Sequence, residues 1–290
     1  MARPSKKKRL EAMDVVAAVV LTFIALLVAF PFWTALVTSL VDAASYARNP
    51  VQLYPHGFTL KNYQYILEYS TLMNSYGKTI IVVVTGFVYA MFISLTMACG
   101  LSFRQYPGKR FFFVYVLITM YFSGGLLPTY LLMKNLGLVD SLVGIVLLCG
   151  VSTFNIVVIK NGIEQLPESL SEAARIDGAN DVVIFVRIIL PLITPIIATF
   201  GLFIAVGYWN EWFWSMLLLT DNDAKTLQIV LRTIVSNNEA DFDNTVYDNT
   251  TFNQGIKMAA VMVVMLPVMV IYTFIQKYFA KGMLVGAIKM

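Results

Sequence analysis

Six long apolar stretches leave this chain few folds to choose from. They lie at about residues 15–41, 78–101, 111–133, 142–160, 192–219 and 257–279. Crossing a hydrocarbon layer of about 30 Å at about 1.5 Å per residue takes about 20 residues, and each stretch meets or comes close to that length. No water is available there to satisfy backbone groups, so a spanning segment must be a helix or part of a closed barrel. Ten-residue runs of alternating apolar and polar residues, the mark of a barrel, are absent. The expected fold is therefore all-α, a polytopic membrane bundle of six transmembrane helices. Composition agrees: 58% hydrophobic residues, 13% charged residues and a mean hydropathy of +0.73 are outside the range of water-soluble domains. Residues 1–14 read as a basic segment on the cytoplasmic side and residues 15–290 as the transmembrane domain.

Charge placement sets the orientation. Arg3, Lys6, Lys7, Lys8 and Arg9 precede the first span, which is too long for a signal-peptide core and reads as retained. Alternating spans put Arg104, Lys109, Arg110, Lys160, Arg175, Arg187, Lys277, Lys281 and Lys289 on that same side. The other side collects only Arg48, Lys61, Lys78, Lys134, Lys225, Arg232 and Lys257. Cytoplasmic loops carry the lysine and arginine excess, so both termini are expected inside the cell. The net charge of +4 is thus topological, and no nucleic-acid partner is expected. Pro31 should kink the first span. Cys99 and Cys149 sit in apolar spans without metal-ligand spacing, and His56 is the only histidine, in a loop.

Residues 164–195 form polar ground between two spans. Pro167 suits the first helical position, Glu168 favours the positive helix end, and Gly178 can take the left-handed conformation that stops a helix. A helix over 167–177 follows, with Leu170, Ala173, Ala174 and Asp177 at three- and four-residue spacing. It is too short to be stable alone and needs a partner, unless it is simply an amphipathic connector. Glu172-Ala173-Ala174, then Gly178 after three residues, then Ile188-Ile189-Leu190-Pro191 after nine more resembles the EAA signature of the permease subunits of bacterial ATP-binding-cassette importers. The resemblance implies a cytoplasmic coupling helix docked on an ATPase subunit, with Glu172, Ala173, Ala174, Asp177, Gly178, Leu190 and Pro191 as its ATPase-coupling residues. It also implies a second permease subunit, two ATPase subunits carrying ATP and Mg, an extracellular or periplasmic sugar-binding protein, and a bacterial cell membrane.

The chain has neither Gly-x-x-x-x-Gly-Lys-Ser/Thr nor a strand-leading Gly-x-Gly-x-x-Gly, so ATP hydrolysis is expected on separate subunits and no cofactor in this chain. Tyr208-Trp209-Asn210-Glu211-Trp212-Phe213-Trp214 lies within the fifth stretch. A carboxylate there is costly unless it meets a cavity or partner, and aromatic faces beside an amide and a carboxylate suit sugars. Trp209, Asn210, Glu211 and Trp212 are the candidate substrate-path residues, with an interfacial aromatic belt as the alternative. A continuous helix would put Tyr208, Trp212 and Ser215 on one face.

Trp209-Asn210-Glu211 resembles the carbohydrate-uptake branch of the importers, as does the tail at 277–289. Tyr121-Phe122-Ser123-Gly124-Gly125-Leu126-Leu127-Pro128 with Asn135-Leu136-Gly137-Leu138 is similar to the permeases for complex polysaccharides and oligosaccharides. Two outer loops complete the reading. Residues 42–77 carry tyrosines suited to the membrane surface. Residues 220–255 carry an apolar helical pattern at Leu227, Val230, Leu231 and Ile234 among Asp221, Asp223, Glu239, Asp241, Asp243 and Asp248. The resemblance directs the second loop toward the binding protein. An ion-coupled carrier remains the rival, although it needs ionisable groups on several spans where Glu211 is nearly alone, and a permease for a non-sugar solute is a third reading.

The orientation is tested by single cysteines and an impermeant maleimide on intact cells. A cysteine at Asp241 should label from outside, while cysteines at Lys8 and Lys281 should label only after permeabilisation. Outside labelling at position 8 would reverse the topology.

Overall fold

The structure, a computed structural model, describes residues 12–103, 106–236 and 254–287. The basic cluster at residues 1–9, the acidic residues Glu239, Asp241, Asp243 and Asp248, and the side chains of the carboxyl-terminal tail lie outside the described residues. Helix is the dominant structure, as the apolar stretches require. The chain divides into two compact units, Met1–Tyr69 with Ile234–Val264 and Ser70–Thr233 with Met265–Met290.

In the first unit, α1 (Ala12–Ser39) runs through Pro31 without ending. Its side chains from Met13 to Trp33 are exposed and, apart from Asp14 and Thr22, apolar, as a lipid-facing helix demands. The end of α1 is closed by the chain that follows. α2 (Ala43–Arg48) is capped by Asp42, whose carboxylate accepts from the Ser45 amide at 2.8 Å. α3 (Lys61–Glu68) contributes Asn62, which donates to the carbonyls of Ser39 and Val41 at 3.0 Å each. These are carbonyls that a helix terminus leaves without partners. Trp33 Nε1 also donates to the Leu53 carbonyl at 2.8 Å. Residues 42–69 are therefore a folded cap, and Gly57 is needed in it: its φ is +74°, and a Cβ there would collide with the Asp42 carboxylate.

The second unit is built on α4 (Ser70–Ser102), which starts eight residues before the expected span. Leu72, Ser75, Thr79, Val82, Gly86, Ala90, Ser94, Ala98 and Leu101 are buried at three- and four-residue intervals, a stripe along the whole helix. Small residues let neighbours approach closely. Gly86 faces the Tyr208 ring, Gly201 faces Phe87, and Gly162 faces Ile196.

Three of the expected spans are not single straight helices. The third breaks at 122–125 into α5 (Lys109–Tyr121) and α6 (Leu126–Asn135), bent by 111°. At about 1.5 Å per residue neither half covers 30 Å alone, so the stretch expected at 111–133 is a sharply bent pair rather than one straight helix. Ser123-Gly124-Gly125 makes the bend, with Gly125 at φ +89° and Pro128 unable to donate to a continuing helix. The fourth breaks at 150–152 into α7 (Leu142–Cys149) and α8 (Thr153–Glu164), bent by 49°. α9 (Glu168–Ile176) follows, then α10 (Asp181–Ile184), a π turn (Phe185–Ile189), α11 (Leu190–Leu192) and α12 (Thr194–Trp209). The fifth stretch breaks again before α13 (Phe213–Leu218). The expected apolar pattern beyond it is α14 (Leu227–Ser236), whose Leu227 amide donates to Thr79 Oγ1 at 2.9 Å. α15 (Gln254–Ala287) runs through Pro267.

Asp140 ties the loop before α7 to the end of α13. Its carboxylate accepts from the Thr220 amide at 2.6 Å, the Asp221 amide at 2.9 Å and the Thr220 hydroxyl at 2.9 Å. The Asp221 amide, and then the Thr220 hydroxyl, hold its acidity below the ordinary carboxylate range. A lowered folded pKa means stability that is present above the unfolded value of about 3.9 and lost as pH falls through the folded one. Asp140→Asn should therefore lower the melting temperature of the purified protein at pH 7, and the gap from the parent should narrow below about pH 4. A gap independent of pH would show that the ionised latch contributes nothing.

Candidate functional site

Two places gather the candidate residues. The first is α9 and the run that follows it. Pro167 precedes α9 and Asp177 ends it, within one residue of the expected bounds. Gly178 adopts φ +85°, and its amide donates to the Arg175 carbonyl at 3.0 Å while Ala179 N donates to the Ala174 carbonyl at 2.9 Å. A left-handed stop of this kind closes the helix on its own last carbonyls.

No residue of α9 is buried. Glu172 and Ala173 are exposed, as are Asp177, Gly178 and Pro191, and so are the apolar side chains of Leu170, Ile176 and Val182, with Ile176 at 87%. The inner side is anchored. Ala174 and Leu190 pack against a cluster that includes Ala98 and Cys99 on α4, Ile156 and Ile159 on α8, and Phe200 on α12. Arg175 pairs with Asp181 at 3.0 Å and lies over the Phe103 ring. Beneath α9 opens a cleft lined by Ser102, Glu164, Glu168, Glu172, Arg175 and Ile188 among others. The π turn places the Leu190 amide on the Phe185 carbonyl, five residues back. The wider turn accommodates Pro191, whose ring would otherwise crowd the carbonyl four residues before it.

The second place is a recess where two helix breaks meet. The break between α7 and α8 contributes Cys149, Gly150, Ser152 and Asn155, and the end of α12 contributes Phe203, Gly207, Tyr208 and Glu211. Helix ends inside an apolar layer need internal partners, and both breaks have them. Ser152 Oγ accepts from the Asn155 amide at 3.4 Å, and Glu211 Oε1 accepts from the Trp214 amide at 2.7 Å, starting α13. Tyr208 donates its hydroxyl to the Val146 carbonyl at 2.7 Å.

Of the four path candidates, Glu211 alone lines this recess. Trp209 is buried with its ring edge-on to Tyr76 at 5.8 Å. Asn210 is exposed at the end of α12, and Trp212 lies beneath the Arg232 guanidinium at 4.1 Å. The shared face expected for Tyr208, Trp212 and Ser215 does not form, because the helix stops at Trp209. Ser152 and Asn155 were not singled out from sequence, and Tyr208 entered only as part of the aromatic run. The signal for the first two was Gly150-Val151-Ser152, a glycine and a capping serine inside an apolar run.

Residues 12–285 match the family described as "Binding-protein-dependent transport system inner membrane component". The chain is 40% identical over 261 residues to Protein LplC of Bacillus subtilis (strain 168), covering 89% of this chain and 88% of that protein. It is 39% identical over 272 residues to the polygalacturonan/rhamnogalacturonan transport system permease protein YtcP of the same organism, covering 93% and 95%. Its fold is similar to a chain from the crystal structure of a bacterial ABC transporter involved in the import of the acidic polysaccharide alginate, with a TM-score of 0.87, 31% identity and coverage of 96% and 100%.

Proposed function

The chain belongs to the binding-protein-dependent transport system inner membrane component family, and on that premise we propose that it is the permease subunit of an ATP-driven importer of oligosaccharide or polysaccharide fragments. It forms the translocation path with a second permease in a heterodimer. Two ATPase subunits bind ATP and Mg and supply the energy, an external binding protein delivers the sugar, and both termini of this chain face the cytoplasm of a bacterial cell. The names of two of these relatives, a polygalacturonan/rhamnogalacturonan transport system permease protein and an ABC transporter involved in the import of alginate, support a carbohydrate cargo.

The observation that carries the reading is α9 itself: a nine-residue helix, unburied along its length, with apolar Leu170 and Ile176 turned out. An exposed apolar face on a helix too short to persist alone fits a partner's groove. Closure of the ATPase pair on ATP pulls on that face. The motion passes through Ala174, Leu190, Arg175 and Phe103 into α4, α8 and α12, packed in one cluster. α8 begins and α12 ends at the recess holding Glu211, Ser152 and Asn155. These groups meet sugar hydroxyls, while Trp209, Asn210 and Trp212 frame the break that presents Glu211. No bond of the sugar is made or broken.

Glu172→Lys reverses charge at the docking face, and Gly178→Pro cannot adopt the positive φ. In the assembled complex each should insert and assemble normally but reduce sugar-stimulated ATP hydrolysis by about tenfold or more, the equivalent of about 1.4 kcal/mol. Normal stimulated hydrolysis in both variants refutes the coupling assignment.

Glu211→Gln and Asn155→Ala should lower sugar uptake severalfold in complexes that remain intact on gel filtration, whereas Trp209→Ala should act first on stability through its lost packing with Tyr76. Unchanged uptake for the first two variants would remove the recess from the path.

A further inference from the structure

The transport reading leaves unused a basic recess between the start of α5 and the end of α8. It opens onto about 730 Å³ of space and is lined by Tyr106, Gly108, Lys109, Arg110, Phe113 and Lys160. Lys160 is buried, with Nζ at 2.7 Å from Glu164 Oε2 and 4.6 Å from the centre of the Phe113 ring. Lys109 Nζ reaches Glu164 Oε1 at 2.9 Å and the Ser102 carbonyl at 3.1 Å. Glu164 is thus shared between two lysines, and the other nearby carboxylate, Asp181, is paired with Arg175 while accepting from the Tyr106 hydroxyl. Arg110 is exposed and makes no hydrogen bond or ion pair to any described residue. Three cations against one carboxylate leave about two positive charges over, an excess that attracts an anion.

Location decides what the surplus charge faces. α5 turns apolar at its third residue, and Phe111, Phe112 and Tyr115 are 69%, 58% and 63% exposed beside the recess. A basic pocket set where an apolar exposed helix begins stands at the level of phospholipid headgroups. The amino end of α5 adds partial positive charge there.

We propose that this recess holds the phosphate of an anionic phospholipid headgroup, bridging Arg110 and Lys109, with acyl chains along Phe111, Phe112 and Tyr115. The site lies on the side of the membrane that carries α9, since α8 leads into α9 after three residues. Bound lipid would brace α5 against α8 beside the coupling helix.

The test uses the full-length protein reconstituted in vesicles of equal phosphatidylglycerol and phosphatidylcholine, extracted gently and weighed intact by native mass spectrometry. Retained phosphatidylglycerol should exceed phosphatidylcholine in the parent. Arg110→Gln should lower that excess about fivefold, as expected for one cation near a lipid surface, and Arg110→Lys should keep most of it. The arginine is exposed and pairs with no described residue, so the described fold does not depend on it. Equal retention of both lipids, or an unchanged excess in Arg110→Gln, overturns the proposal. Excess inorganic phosphate during extraction should leave the lipid in place; its displacement would assign the site to free phosphate and overturn the lipid assignment.

Discussion

A backbone N–H at a helix break within the bilayer has no water to bond, so every interruption of a span must carry its own partner. In this chain that requirement places polar groups at one recess. Glu211 accepts from the Trp214 amide and Ser152 accepts from the Asn155 amide, and both capping groups line one recess with Asn155 and Tyr208. On the proposed function, the polar atoms that make the breaks tolerable are also the polar atoms offered to a sugar. Glu211 carries both duties: one oxygen starts α13, and the carboxylate borders the cavity.

The α4 helix connects the recess to the packing beneath α9. Its buried stripe runs from Leu72 to Ser102. At one end Ala98 and Cys99 join Ile156, Ile159 and Phe200 beneath α9, and nearer the other Val82 and Ala90 join Ile145, Ile204 and Tyr208 around the recess. Glycine contacts, such as Gly86 on the Tyr208 ring, bring these helices close enough that a shift at one end has little slack to disappear into. The Lys109–Glu164–Lys160 network adds a polar clamp between α5 and α8 near the same coupling end.

The elements set by local chemistry were legible in the sequence. Pro167, Glu168 and Gly178 located α9 to within a residue because capping and positive φ are decided within one turn. The apolar spacing of Leu227, Val230 and Ile234 located α14 for the same reason. Hydropathy revealed the apolar stretches but not their continuity, because Gly150-Val151-Ser152 and Asn210-Glu211-Trp212 are interruptions shorter than any window that detects a span. Ser123-Gly124-Gly125 carried the family resemblance while its glycines also set the 111° bend. Asn155, beside the apolar run from Ile156 to Ile159, gained its place only when two breaks distant in sequence met. The same is true of Asp140, whose partners Thr220 and Asp221 lie eighty residues on.

The central claim is that α9 joins this chain to a nucleotide-driven partner and that the joint must move for transport. The most direct measurement is cross-linking in the assembled complex between Ile176→Cys, on the most exposed apolar side chain of α9, and single cysteines placed around the surface groove of the ATPase subunit. The account predicts a specific cross-link at one groove position, loss of sugar-stimulated ATP hydrolysis while it holds, and recovery when it is cleaved. Absence of any cross-link from Ile176→Cys, or full stimulated hydrolysis with the joint locked, would contradict it.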